Sequence, residues 1–247
     1  MENNKYRNEI SYYNEIQRFI SDQINSNFNA KHRQELSVFW GIGELKNNLQ
    51  KMIQEHPKEC NCVKEFANRV PPLNLDIFAL ITNGEFFQIL ILEVKLRNNV
   101  GLKEWSQLIG YCLVSDAKYG LLININNGAS QRLSQILSSE QHLSNINTIF
   151  NDKNHRHYLG FMQWDGLTKS FDYSNLGLIK SLSDLTYLLG NDFNKKDKLE
   201  DDGYTLKRGE ANPAIQSRKK SSVPLCFPWA SAFACARRIC RESRTSF

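Results

Sequence analysis

The chain has 247 residues, of which 41% are hydrophobic, 11% aromatic and 23% charged, a balance typical of a soluble globular protein and not of a disordered one. Its formal net charge of +5 is concentrated at one end: residues 1–206 carry 22 Lys and Arg against 24 Asp and Glu, whereas residues 207–247 carry 9 against 2. The basic charge therefore gives no argument for nucleic-acid binding by the main part of the chain.

The sequence also predicts a compartment. No apolar run approaches the roughly 18 residues that a membrane-spanning helix needs, and the opening residues, MENNKYRNEI, lack the apolar segment of a secretory signal. We therefore expect a cytoplasmic protein that does not enter a membrane. Six cysteines without a second ligand pair at short spacing favour free thiols over disulfides or a zinc site.

Apolar periodicity predicts two helices and one strand in the N-terminal part. Residues Ile10–Ile24 place apolar side chains at three- and four-residue spacing, which is one face of an amphipathic helix. Leu36–Trp40 has the length and composition of a short strand. A second helical pattern begins after Gly43, and Pro57 lies just beyond its expected end.

The strongest local signal is a β-hairpin. Two apolar, β-branched and aromatic runs, Leu75–Thr82 and Glu85–Leu96, are joined by Asn83-Gly84. Asn-Gly favours a two-residue type I′ turn, because both central residues of that turn need a positive φ. Such a turn sets Thr82 opposite Glu85.

The rest of the predicted core alternates helices and strands. The expected elements are a helix over Lys103–Asp116, a strand over Tyr119–Asn126, a helix over Ser130–Ser138, a strand over Tyr158–Trp164 and a closing helix over 178–190 that ends at Gly190. This order predicts an α/β core.

The chain changes character near residue 190, so we expect one domain over 1–190 and an appended segment over 191–247. Residues 191–222 are rich in Asp, Lys, Asn, Gly and Ser without an apolar period, which is typical of a solvated linker. Residues 223–247 mix Cys, Phe, Trp and Arg without helix or strand period, and we interpret them as a disordered or non-native extension. A basic, aromatic arm that contacts nucleic acid is the alternative.

The expected hairpin register brings charged side chains to one face of the two strands. In this register Asp76 faces Ile91 and lies diagonal to Glu93, at a Cα separation of about 7–8 Å. Lys95 projects from the same face as Glu93, because side chains alternate along a strand. Burying charges costs free energy unless they are paired, so stability alone does not explain this row.

Two carboxylates and an ammonium in this arrangement suit metal-assisted phosphodiester hydrolysis. Mg²⁺ takes oxygen ligands and keeps several waters, so two carboxylates can hold it together with a phosphate oxygen. The ion polarises the phosphoryl group and acidifies a bound water. Lys95 can orient that water, take its proton or stabilise the developing charge.

These residues resemble the core motif of a known family. Asp76, sixteen further residues and then Glu93-Val94-Lys95 on a strand are similar to the PD-(D/E)xK nuclease motif of the restriction-endonuclease-like fold. Gln107 and Tyr111, at i and i+4 on the following helix, resemble the QxxxY element of RecB-type and lambda-exonuclease-like members. The likeness implies an αβββαβ core with a mixed sheet flanked by helices, and the predicted element order over residues 8–165 agrees with it.

The sequence departs from the family pattern at one position. Leu75 replaces the proline expected immediately before the aspartate, while Pro71 and Pro72 lie a few residues upstream. Many members tolerate this replacement, so it weakens the recognition of the motif more than the chemistry.

The resemblance implies a Mg²⁺-dependent DNA endonuclease of restriction or repair type, with Mn²⁺ as a substitute ion. Asp76 and Glu93 would bind the metal together with the Val94 carbonyl, and Lys95 would activate water. Gln107 and Tyr111 would support the site and the substrate strand.

Further residues follow from the same resemblance. An acidic residue on the first helix is usual in the family, and Glu15 is our candidate, with Glu44 second. The nearest cations for the phosphates of the expected DNA partner are Arg97, Lys103 and Arg132. Duplex cleavage usually needs two active sites, so we expect a homodimer.

Other functions and roles stay open at this point. A non-catalytic nucleic-acid-binding module on the same fold is one alternative, and an exonuclease acting on free ends, suggested by the QxxxY element, is another. Trp105 and Trp164 are expected to pack in the core and not against bases. The histidines without an evident partner are expected in surface or loop positions; they are His32, His142, His155 and His157.

Overall fold

In the computed structural model, the described residues are 8–32, 35–150, 153–172 and 176–194. They form an α/β fold in which helices flank an open, mixed sheet of seven strands. Backbone contacts separate Met1–Asn194 from Lys195–Phe247. Our predictions for the linker beyond residue 194 and for the extension lie outside the described residues.

The helices and strands lie close to their predicted positions. The helices are α1 Tyr13–His32, α2 Leu45–Glu55, α3 Lys64–Arg69, α4 Leu102–Ser115, α5 Gln131–Ser139 and α6 Leu182–Phe193. The strands are β1 Ser37–Glu44, β2 Asn74–Thr82, β3 Phe87–Lys95, β4 Tyr119–Ile125, β5 Asn145–Phe150, β6 Lys153–Asp165 and β7 Ser170–Asp172. Every predicted element is confirmed, and α3, β5 and β7 were not predicted.

Strand direction changes across the sheet. The strand order is β1-β2-β3-β4-β6-β5, with β7 paired to the end of β6. Strands β1, β2 and β3 are antiparallel neighbours, whereas β3, β4 and β6 run parallel to one another. The carboxyl ends of these three parallel strands therefore meet at one edge of the sheet, where ligands bind in many open α/β folds.

Both faces of the central strand β3 are covered by helices. On β3, Leu90 and Leu92 point to the core beneath α1 and α6, while Ile89 and Ile91 point to the core beneath α2, α4 and α5. A strand covered on both faces has no polar side to alternate with. This explains the nearly continuous apolar run that marked β3 in the sequence.

The hairpin is confirmed, but its predicted turn is wrong. Thr82 pairs with Phe87, so the loop has four residues, 83–86, instead of two. Gly84 has a φ of +90°, whereas Asn83 keeps a negative φ and its Oδ1 accepts the backbone N–H of Glu85 and Phe86 at 3.1 and 2.9 Å. The asparagine therefore makes an Asx turn in place of a type I′ turn.

The predicted end of the last helix is also wrong. Gly190 is buried inside α6, and the helix continues to Phe193, whose ring packs edge-to-face on Phe28 of α1 at 6.1 Å. Asp192, in the added turn, accepts a hydrogen bond from the Tyr119 hydroxyl at 2.6 Å and pairs with Lys118. These tertiary contacts outweigh the preference of glycine for the end of a helix.

We expect alanine at Gly160 to destabilise the fold. A Cβ there would lie 2.1 Å from the backbone carbonyl oxygen of Ile179, which cannot move away without disturbing the chain, so the loss is about 2 kcal/mol. Gly110 in α4 is the matched control, because its Cβ would meet nothing within 4 Å and alanine there favours the helix by about 0.5–1 kcal/mol. Urea denaturation measures both changes, and equal stability of the two variants would contradict the packing.

Candidate functional site

The charged residues predicted from the hairpin lie on neighbouring strands. Asp76 is near the start of β2, and Glu93 and Lys95 are at the end of β3. In the observed register Phe78 pairs with Ile91, so the predicted pairing of Asp76 with Ile91 is wrong. The regular pairing ends with Ile77 and Leu92, one residue short of Asp76 on β2 and one short of Glu93 on β3. The longer loop shifts the register by two residues, and a shift of two leaves every side chain on its original face.

One ammonium bridges the two carboxylates. Lys95 Nζ lies 2.7 Å from Asp76 Oδ2 and 2.6 Å from Glu93 Oε1. Asp76 Oδ2 also accepts the backbone N–H of Val94 at 3.2 Å. The exposed fraction of the side chain is 26% for Asp76, 13% for Lys95 and 0% for Glu93. The cluster therefore extends from the sheet edge into the core.

Burial and mutual charge govern the protonation of this cluster. Burial, together with the Asp76 carboxylate, raises the pKa of Glu93 to about 8 against the opposing effect of Lys95. Burial alone would lower the pKa of the Lys95 ammonium, but Glu93 and Asp76 outweigh it and raise that pKa above its usual value. Lys95 is therefore a charge partner of the two carboxylates in this state and is not a free base.

A third carboxylate, which sequence reasoning missed, lies beside this cluster. Glu9, just before α1, accepts the backbone N–H of Leu96 at 3.1 Å and the hydroxyl of Tyr13 at 3.2 Å. Burial raises the pKa of Glu9. The charge of Lys95 lowers this pKa and the charge of Asp76 raises it, so Glu9 interacts electrostatically with both residues. The sequence held one signal for Glu9. It lies four residues before Tyr13, and residues at this spacing share one side of a helix.

Glu15, our candidate from the sequence, lies elsewhere on α1. It pairs with Lys169 at 3.2 Å, in the turn after β6. The second candidate, Glu44, precedes α2 and accepts a hydrogen bond from Asn47 Nδ2 at 2.6 Å. Neither contributes to the charges that shift Glu93, whereas Glu9 does. Glu9 is therefore the acidic residue of the first helical segment whose charge reaches Glu93, and the role expected for Glu15 stays a prediction.

Gln107 and Tyr111 form a hydrogen-bonded pair on α4. Gln107 Nε2 donates to the Tyr111 hydroxyl at 2.8 Å, as expected for residues one helical turn apart. Both side chains are half-buried, and α4 packs on the sheet face that carries Glu93. Gln107 thus uses its amide on Tyr111 and not on a carboxylate of the cluster.

The two candidate tryptophans are buried, as predicted, whereas His157 contradicts the surface or loop position predicted for it; His155 keeps a partly exposed position but acquires a partner. His157 is buried in β6, with Nδ1 2.8 Å from the Ala117 carbonyl oxygen and Nε2 3.3 Å from Thr148 Oγ1. His155 Nδ1 lies 2.7 Å from Asp116 Oδ1. Both acquire partners because β6 begins at Lys153, several residues earlier than its apolar pattern indicated. His142 is exposed as expected, and His32 is the last residue of α1.

The described residues contain no ready-made metal site. In the described parts of the chain, no group of three or more His, Cys, Asp and Glu side chains could hold a metal ion. Mg²⁺ nevertheless needs only one or two carboxylates when waters and a phosphate complete its shell. Glu93 Oε2 is buried without a hydrogen-bond partner among the described residues, and such an oxygen suits a hard cation.

Cys60, Cys62 and Cys112 are free thiols, as predicted.

Comparisons with protein-family models, with curated proteins and with solved structures found no match to this chain. No helix among the described residues is long and apolar enough to cross a membrane. A function for this chain must therefore be argued from the chemistry of the site.

We expect Glu93→Gln to remove a pH dependence of stability. Native Glu93 holds its proton more tightly than the unfolded chain does, so wild-type stability falls as the pH rises from 4.5 to about 8. Relative to wild type, the unfolding free energy of the variant should rise by up to about 1.4 kcal/mol per pH unit over this window. Urea denaturation in EDTA measures it, with the exposed Glu55→Gln as control. Parallel profiles for wild type and Glu93→Gln would contradict the buried ionisation.

Proposed function

We propose that this protein is a Mg²⁺-dependent deoxyribonuclease of restriction or repair type. The observation that carries the proposal is the pair of carboxylates Asp76 and Glu93, on neighbouring strands, with the Lys95 ammonium between them at an edge of the sheet. A third carboxylate, Glu9, adjoins the pair. Stability does not require such a cluster, because apolar residues of similar size would stabilise this position at least as well.

The element order supports a restriction-endonuclease-like core. A helix, three antiparallel strands, a helix and a parallel strand follow one another as α1, β1, β2, β3, α4 and β4 when the short helices of the β1–β2 connection are set aside. The QxxxY pair is hydrogen-bonded on α4, directly after the strand that carries Glu93 and Lys95. Both features agree with the PD-(D/E)xK resemblance of the sequence.

The carboxylates define where a metal would bind. Asp76 and Glu93 would hold Mg²⁺ or Mn²⁺, with Glu9 and the Val94 carbonyl as nearby oxygen donors. When bound, the ion would supply Lewis-acid polarisation of the phosphoryl group and a more acidic water. The Lys95 ammonium occupies the position between the two carboxylates in this structure. The lysine side chain would therefore have to move for a metal ion to bind there.

Moving the Lys95 amine out of the position between the two carboxylates would give it its catalytic role. Its pKa is raised by Glu93 and Asp76, so neutralising those carboxylates lowers that pKa toward the range of a general base. The displaced amine could then orient the attacking water and take its proton, or stabilise negative charge on the phosphoryl oxygens as an ammonium. Tyr13 would keep the Glu9 carboxylate in place through its hydroxyl.

A non-catalytic nucleic-acid-binding module on the same fold is the second candidate function. The observation that favours it is the double ion pair of Lys95, which already compensates both carboxylates without a metal. An inactive descendant of a nuclease could keep this cluster as a structural element. The two functions differ in one outcome, the cleavage of DNA in the presence of Mg²⁺.

We expect the purified chain to nick or linearise supercoiled plasmid with Mg²⁺ or Mn²⁺ and to leave it intact in EDTA. Lys95→Ala should reduce the rate at least about 100-fold, because it removes the group that handles the proton. Lys51→Ala, an exposed lysine on α2, is the matched control and should cleave normally. Cleavage of linear but not of closed circular DNA would indicate an exonuclease. A folded protein inactive on circular, linear and single-stranded DNA would favour the binding module.

The two acidic candidates on the first helical segment give an independent test. Glu9→Gln should reduce Mg²⁺-dependent cleavage by about 10-fold or more, because it removes a negative charge beside the metal position. Glu15→Gln should leave the rate unchanged, since Glu15 pairs with Lys169 away from the cluster. Initial rates at several Mg²⁺ concentrations measure both effects. The reverse result, a slow Glu15→Gln and a normal Glu9→Gln, would refute this placement of the site.

A further inference from the structure

The loops that follow β3 and β4 are joined by one buried side chain. Asn124, on β4, is 0% exposed and pairs in register with Lys95 on the neighbouring strand. Its Oδ1 accepts the backbone N–H of Arg97 at 3.2 Å, and its Nδ2 donates to the carbonyl oxygens of Arg97 and Gly128 at 3.1 and 3.0 Å. One amide therefore holds both backbone groups of Arg97.

Backbone hydrogen bonds complete this connection. Ser130 N–H donates to the Val100 carbonyl oxygen at 2.7 Å, and Val100 N–H donates to the Gly128 carbonyl oxygen at 3.4 Å. Val100 and Ala129 also form an isolated parallel bridge. Residues 96–103 and 126–132 thus form one continuous surface at the sheet edge, which we name the ledge.

The exposed charge of the ledge has a single sign. Arg97, Lys103 and Arg132 are exposed, and none of them forms an ion pair with a described carboxylate. The sequence of the ledge contains no Asp or Glu. The neighbouring Glu104 is buried, and its carboxylate accepts a hydrogen bond from the backbone N–H of Gly101 at 2.9 Å. Arg97, two residues after Lys95, and the helix-start residues Lys103 and Arg132 therefore carry exposed positive charge on the ledge without an ion-pair partner among the described carboxylates.

We infer that the ledge binds the phosphodiester backbone of a nucleic-acid strand, and that Asn124 is the positioning residue that aims Arg97 at it. The inference rests on the proposed function, because it places the ledge next to the scissile phosphate. Arg97 follows Lys95 by two residues and Asn124 pairs with Lys95 across the strands, so the ledge begins directly beside the cluster.

The polar composition of the ledge selects this partner over an acidic peptide. Asn98 and Asn99 are exposed next to Arg97, and amide side chains join Arg and Lys as the usual donors to phosphate and sugar oxygens. The exposed positions 97–99 are all polar, and Leu102 is the one exposed large apolar side chain of the ledge, so the ledge offers little to the apolar anchors of a peptide. A regular array of phosphates is the ligand that matches fixed, separated cations.

The test uses the full chain with the triple variant Arg97→Ala/Lys103→Ala/Arg132→Ala. Fluorescence anisotropy with a labelled duplex in EDTA gives the affinity and its salt dependence without cleavage. We expect the slope of log affinity against log salt to fall by about 2–3, and the affinity at low salt to fall at least about 10-fold. The matched control is Lys58→Ala/Lys64→Ala/Arg69→Ala, three exposed cations at α3, which should keep the wild-type slope.

A double-mutant cycle separates positioning by Asn124 from general stabilisation. Asn124→Asp keeps the shape but removes the donor to the Arg97 and Gly128 carbonyl oxygens, so the salt slope should fall by about 1 although Arg97 is present. Adding Arg97→Ala to Asn124→Asp should then change the affinity little further, because both changes remove one contact. Additive losses would overturn the positioning role. The surface variant Arg97→Ala alone keeps the test valid if Asn124→Asp fails to fold.

The outcomes distinguish the ledge from the nuclease. A triple variant that binds with the wild-type slope would overturn the ledge, whatever the cleavage assay shows. Ledge-dependent binding without Mg²⁺-dependent cleavage would refute the proposed function and leave the ledge standing. Duplex DNA, single-stranded DNA and RNA as separate probes identify the strand, and equal ledge-dependent binding of poly-glutamate would overturn the nucleic-acid assignment.

Discussion

The buried ammonium of Lys95 between two carboxylates is the interaction on which the site depends. Glu93 is fully buried, and an isolated carboxylate in that position would be very costly. Lys95 and the edge of the sheet make it tolerable, because Nζ reaches both Glu93 and Asp76 within 2.7 Å. The geometry requires Asp76 on β2 to lie within reach of the Lys95 ammonium on β3. The register of β2 against β3 is therefore a functional property as well as a structural one.

The change from antiparallel to parallel pairing places this cluster at an accessible edge. Strand β3 pairs with β2 on one side and with β4 in parallel on the other, so its carboxyl end meets the loops that follow β4 and β6. Asn124 joins the loop after β3 to the loop after β4, and Glu9 accepts the backbone N–H of Leu96 from the first helical segment. Four separate parts of the chain thus meet where Lys95 emerges from the core.

Much of this architecture can be predicted from local patterns in the sequence. The helices and strands were predictable because apolar side chains repeat with the periods of buried helices and strands, and Asn83-Gly84 marks the hairpin. The row of Asp76, Glu93 and Lys95 was predictable as well, because an error of two residues in the register leaves each side chain on its face. Along a regular strand, the face on which a side chain lies depends only on whether its position is odd or even, so a register error of two residues does not change that face.

Contacts between distant segments decided what local patterns could not. The turn followed the Asx hydrogen bonds of Asn83, and the end of α6 followed the packing of Phe193 on Phe28. Glu9 is 67 residues from Asp76 in sequence, so its helical spacing from Tyr13 gave no link to the residues of the hairpin. Strands β5 and β7 likewise depend on β6 for their pairing.

The sequence by itself determined the elements, the hairpin and the common face of the three charged residues, because these depend on periodicity and on near neighbours. Only the tertiary structure decided which carboxylate joins them and which loops surround them. Those outcomes depend on strand order, helix packing and burial, which arise when segments far apart in the chain exclude water together.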